Sequence, residues 1–212
     1  MRKYVVMLLA LFVACSGQEK KEDKTGQTQI IPKPAVEEKV EYARTEAGNP
    51  IVQVKTTMGD FEIEVFETDC PIHAKNFLNL VEGNIYDDNI FHRVIPNFMI
   101  QTGDPTGTGG GGPGYMIDSE PIKYQNKRSY IAMAQPPQGI NGSQFYILVA
   151  DSPHLDNQFP CFAKVISGMD VVDAISKVKT EADRPVETVK IITARPKPAE
   201  TPADTTGEKS IT

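Results

Sequence analysis

Tryptophan is absent from this chain, and cysteine and histidine occur only three times each. Neither Cys15, Cys70 and Cys161 nor His73, His92 and His154 fall at metal-ligand spacing, so no metal site and no cofactor is expected. An excess of basic residues is missing too: 22 Lys and Arg stand against 28 Asp and Glu, a formal charge of −6. The basic residues alternate with acidic ones, as in Glu19-Lys20-Lys21-Glu22-Asp23-Lys24. That pattern argues against nucleic acid as a partner, which calls for clustered positive charge. A membrane-spanning helix needs roughly twenty apolar residues, and the apolar run over residues 5–14 has ten. No internal repeat is present. Gly107-Thr108-Gly109-Gly110-Gly111-Gly112-Pro113-Gly114 lacks the Lys-Ser/Thr of a phosphate-binding loop, which leaves a flexible surface loop as its expected role. Ser143 is not in a Gly-x-Ser-x-Gly elbow.

What remains is 40% apolar and 8% aromatic, suited to one globular domain within 212 residues. Its ends are set apart. Arg2 and Lys3 precede the apolar run, which closes as Leu11-Phe12-Val13-Ala14-Cys15 before a polar stretch. Residues 1–14 resemble a bacterial lipoprotein signal, in which Cys15 is lipidated and becomes the new N-terminus; a plain secretory signal is the alternative. Either reading takes the domain out of the cytoplasm, and the first anchors it by lipid to a membrane of the cell envelope. Residues 15–49 read as a disordered tether and residues 196–212 as a disordered tail, each rich in polar residues and proline. The location permits a disulfide between Cys70 and Cys161, but two free structural thiols are the preferred reading.

Between the ends, over residues 50–195, the patterning turns regular. Residues 51–55 and 61–66 are strand-like, with Phe61, Ile63 and Val65 alternating against Glu62 and Glu64, and Gly59-Asp60 supplies a hairpin turn. Pro71 opens a helix that Thr68 or Asp69 helps to cap. Ala74, Phe77, Leu78 and Val81 form its buried face, and Gly83 stops it. Further strands are expected at 90–94, 99–103, 129–134, 144–149, 162–166 and 188–193. A second helix from Met169 buries Val171, Val172, Ile175 and Val178. The fold class is therefore mainly β: a closed eight-stranded antiparallel barrel capped by two α-helices. Side chains just fill the interior of such a barrel, so a ligand would bind its outer wall.

One stretch carries most of the chemistry: Phe91-His92-Arg93-Val94-Ile95-Pro96-Asn97-Phe98-Met99-Ile100-Gln101-Thr102-Gly103-Asp104, answered by Asn141-Gly142-Ser143-Gln144-Phe145. Together these blocks resemble the signature of the cyclophilins, β-barrel peptidyl-prolyl cis-trans isomerases, over roughly residues 51–194. The resemblance implies a catalyst of rotation about Xaa-Pro bonds that needs no nucleophile, base or metal. By that resemblance Arg93 is the catalytic arginine, with Gln101 and Gln144 fixing it and holding the substrate backbone. Phe98, Met99 and Leu155 would line an apolar proline pocket, although in isolation all three read as core residues. Ala134 and Gln135 would pair with the substrate backbone. His92, on the opposite strand face from Arg93, reads as structural.

Some positions depart from the family pattern. Gln135 replaces a customary Asn, Tyr146 replaces the Phe of the pocket floor, and Phe159 stands where a pocket histidine is usual. His154 occupies the position of a frequent Trp that donates a hydrogen bond to cyclosporin, so weak cyclosporin binding is expected. The implied partners are Pro-containing unfolded or flexible polypeptides, met by a monomer on the envelope. A catalytically weak binding module for Pro-containing segments is the competing reading.

Overall fold

The computed structural model describes residues 41–137 and 139–199. The expected signal segment, Cys15, and most of the tether and tail lie outside the described residues. No helix among the described residues is long and apolar enough to cross a membrane.

Two adjoining strands, β1 (Ile51–Thr56) and β2 (Gly59–Val65), form the first hairpin. Its turn is Thr57-Met58, with Thr56 opposite Gly59, so Gly59 and Asp60 begin β2 instead of turning the chain. Phe61, Ile63 and Val65 are buried as their alternation predicts, each large apolar side chain contributing about 1.5–3 kcal/mol. Glu64, expected on the solvent side, is 5% exposed. The reason is residues 41–49, expected as the end of a tether, which lie against the barrel. Thr45 Oγ1 and Asn49 Nδ2 each donate to Glu64 Oε1 at 2.9 Å, and Lys164 Nζ lies 3.0 Å from Oε2. Tyr42 is buried and bridges to Pro198, bringing the two ends of the domain together.

Helix α1 (Pro71–Glu82) buries His73, Ala74, Phe77, Leu78, Leu80 and Val81. Its N-cap is Cys70, with no side-chain cap; Asp69 instead binds Lys123 and the Tyr124 hydroxyl. Glu120 accepts the His73 backbone N–H, supplying from a distant loop the acceptor that the cap lacks. Strands β3 (Arg93–Ile95), β4 (Met99–Thr102), β5 (Met116–Ile117), β6 (Tyr130–Met133), β7 (Ile140–Asn141) and β8 (Phe145–Leu148) follow. After a short 3-10 turn (Pro153–Leu155) come β9 (Cys161–Ser167), α2 (Met169–Ser176), β10 (Thr180–Glu181), β11 (Arg184–Pro185) and β12 (Ile191–Pro196). Gly168, at φ 76, caps α2 against the β2 backbone, where no side chain fits. Val172 and Ile175 are buried by this helix, while Val171 is half-buried and Val178 lies beyond its end.

Eight strands make one antiparallel sheet in the order β12-β1-β2-β9-β6-β8-β4-β3. Its edges, β3 and β12, form no ladder. The seam is held just before them by the Ile90–Lys190 bridge, with Phe91 N donating to Val189 O at 3.0 Å and Ile191 N to Asn89 O at 2.8 Å. The barrel is thus closed by a stitch. Its interior is filled by side chains such as Phe61, Phe77, Ile100, Phe145 and Phe162. A second, smaller apolar cluster lies apart from that core and includes Met99, Ala132, Tyr146, Leu148 and Cys161.

Candidate active site

Strand register builds the site. Arg93 stands opposite Gln101, Gln101 opposite Tyr146, and Tyr146 opposite Ala132. Directly opposed residues share a face, so these four form one row across β3, β4, β8 and β6. The next row, Ile95, Met99 and Leu148, follows the same rule and is apolar. Alternation turns Val94, Ile100 and Ile147 to the interior, which leaves the polar row outside.

Over these rows lies a groove of about 740 Å³. Arg93, Phe98, Met99, Gln101, Ala134, Gln135, Gln144, Tyr146, Leu155 and Phe159, the ten residues singled out by sequence, all line it. Arg93 is about half exposed. Phe159 meets Tyr146 edge-on with ring centroids 6.2 Å apart, and the His154 ring lies 5.4 Å from that of Phe98. Tyr146 is 7% exposed, and its hydroxyl has no hydrogen-bond partner. Burial raises its pKa well above the ordinary phenol value, so the ring stays neutral.

The glutamines do not grip Arg93 as expected. Gln101 Nε2 donates to Gln144 Oε1 at 2.8 Å, and Gln144 Nε2 donates to Gly111 O at 2.7 Å and Gly109 O at 3.1 Å. The charged neighbour of Arg93 is Asp183, with Oδ2 3.5 Å from Nε.

The glycine-rich loop, expected to be a flexible excursion, forms a wall of the groove through Gly109 and Gly110. Its order comes from Asp104, which is fully buried. One carboxylate oxygen accepts from Thr106 N and Oγ1, both at 2.8 Å; the other accepts from Gly109 N at 2.6 Å and Gly111 N at 3.1 Å. Burial alone would raise the Asp104 pKa, but these hydrogen bonds outweigh it and hold the carboxyl below its usual range. Asn141, also on the groove, accepts from Ser143 N and Gln144 N and donates to Gly111 O. Gly103 at φ 85 lets β4 end against the Ser143 carbonyl, with Ser143 Oγ donating to Gly103 O at 2.6 Å. Met116 and Pro136 complete the groove. The sequence placed none of Asp104, Asn141, Gly109, Gly110, Met116 and Pro136 at the site, although the first two stand inside the quoted motifs and the two glycines in the expected surface loop.

Cys70 and Cys161 are free and buried. Burial pushes both thiols up to about 12, which makes them inert at neutral pH. Groups of three or more residues able to hold a metal do not occur among the described residues.

A helix-capped antiparallel barrel with a polar and apolar groove on its outer wall is the cyclophilin fold. The family model for cyclophilin type peptidyl-prolyl cis-trans isomerase/CLD matches residues 51–195. A peptidyl-prolyl cis-trans isomerase-like 1 of Aspergillus oryzae is 44% identical over 151 residues, covering 68% of this chain and 93% of that protein. Its counterpart in Gibberella zeae is 41% identical over 150 residues, covering 68% and 93%. A cyclophilin type isomerase of Cryptosporidium parvum, crystallised in the presence of the dipeptide Ala-Pro, is 31% identical. It aligns with a TM-score of 0.63 over 68% of this chain and 97% of that one. The chain belongs to the cyclophilin-type peptidyl-prolyl cis-trans isomerase family. These three relatives are eukaryotic, and the family match begins well after the lipoprotein-like segment.

Proposed function

We propose that the groove binds an Xaa-Pro segment with its proline ring over Phe98, Met99, Leu155 and Phe159, and that Arg93 lowers the barrier to rotation. Amide resonance sets that barrier at about 18–20 kcal/mol. As the bond twists, the lone pair returns to the proline nitrogen, and a donor placed there stabilises the twisted state. A guanidinium stays charged at any relevant pH and carries its donors in a fixed fork. The observation that carries this reading is Arg93 on one cross-strand row with Gln101 and the Tyr146 floor. Gln101 and Gln144 would hold the groove's polar edge, and Ala134 and Gln135 would pair with the substrate backbone.

The test is isomerisation of a short Xaa-Pro peptide by the purified protein and by Arg93→Ala. Losing one preorganised donor of this kind costs about 100–1,000-fold in rate, so the variant should be nearly silent. A folded parent that binds the peptide without accelerating exchange would make the groove a docking site only. The chain acts, on this reading, as a monomer on exported or membrane-associated proteins, tethered to a bacterial envelope by lipid on Cys15. Labelling with a fatty acid that disappears in Cys15→Ser would support the anchor; no labelling of the parent would remove it. Cyclosporin binding is expected to be weak because His154 replaces an indole donor.

A further inference from the structure

Arg93 is on an edge strand of three residues, where a long side chain has few neighbours to define it. The hairpin β10–β11 covers that edge. Glu181 pairs with Arg184, so Ala182 and Asp183 form a two-residue tip, with φ of 48° and 65°. Both lie in the left-handed region, which Asp tolerates and Ala resists, and such a tip persists only when its surroundings hold it. Two staples do so. Asp183 O accepts from Val94 N at 2.7 Å, and Arg184 Nη2 donates to Gly107 O at 2.9 Å. The first staple puts the Asp183 carboxylate beside Arg93 Nε. No nitrogen of the Arg93 side chain has a hydrogen-bond partner among the described residues; Asp183 meets it as a charge at Nε, 3.5 Å away, which leaves both Nη free for a ligand in the groove.

We propose that Asp183 is a positioning residue for the isomerase: it holds Arg93 by Nε and thereby sets the direction of the guanidinium fork. This rests on the isomerase reading of Arg93. Both side chains are about half exposed, so the effect is modest and screened by salt. A pair of this kind is worth at most about a 2–5-fold change in rate.

Asp183→Asn in the purified protein is the test, because Asn also tolerates a positive φ and preserves the tip; Asp183→Gly is a second variant with the same tolerance. The expected result is kcat lowered about 2–5-fold with KM less affected, and a gap to the parent that narrows as salt is raised. Unchanged or increased kcat in the folded variants overturns the proposal. Hydrogen exchange at Arg93 Nε–H, followed by NMR, reads the contact without catalysis. It should quicken in Asp183→Asn, and unchanged exchange overturns the positioning role. An inactive parent would instead count against the isomerase reading, with the exchange result still deciding Asp183.

Discussion

Replacing Gln144 with Met keeps the length and volume of the side chain while removing its polar atoms. Gln144 is 2% exposed, and its amide makes three hydrogen bonds: one to β4 through Gln101, and two to the glycine-rich wall through Gly109 and Gly111. Three hydrogen bonds are lost at about 0.5–1.5 kcal/mol each, so the stability cost is about 1.5–4.5 kcal/mol. In a domain of this size that lowers the thermal midpoint by roughly 5–15 °C. The loop keeps its Asp104 anchors, so the fold should survive and the groove's polar edge loosen. Urea unfolding reads the first effect and peptide isomerisation the second. Stability within about 0.5 kcal/mol of the parent, with activity intact, would mean that the three contacts are worth nothing net and do not hold the groove.

Two further outcomes follow from buried polar groups. Tyr146→Phe removes a buried hydroxyl that has no partner, so it should raise stability by about 1 kcal/mol with isomerisation retained; a loss of stability in urea unfolding would contradict this. Burial holds the pKa of both His92 and His73 below the ordinary 6.5. The folded state keeps them neutral while the unfolded chain takes up protons, so stability is full above about pH 6.5 and falls as the pH is lowered through it. Urea midpoints measured from pH 8 to pH 5 should decline over that window, and a flat profile would sink the assignment.

Particular residues show what the sequence made legible. Phe61, Ile63 and Val65, and the Ala74, Phe77, Leu78 and Val81 face, follow periods of two and 3.6 along the chain, so their burial could be read directly. Glu64 could not, because the segment that covers it comes from before the barrel and carries no periodic pattern. The glycine-rich loop owes its order to backbone N–H groups converging on one carboxylate, a contact without a side-chain signature beyond Asp104 itself. The β10–β11 hairpin has two residues per strand and no glycine or asparagine at its tip, so neither alternation nor turn chemistry announced it. That Arg93, Gln101, Gln144 and their neighbours would gather on one groove was legible through the family resemblance. Taken alone, Phe98, Met99 and Leu155 look like core; the register of β4 with β8 turns Met99 outward, and Phe98 and the 3-10 turn with Leu155 pack against that cluster to make the groove.

The claim that the Arg93 groove is where Xaa-Pro bonds rotate is tested most directly by NMR of the isotope-labelled protein with a short Xaa-Pro peptide. Catalytic amounts of protein should speed cis–trans exchange in the peptide. The protein resonances perturbed should be those of Arg93, Phe98, Gln101 and Tyr146, and in Arg93→Ala the acceleration should be lost while the peptide still perturbs Phe98. Faster exchange that survives in Arg93→Ala, or perturbations gathered on another face of the barrel, would contradict it.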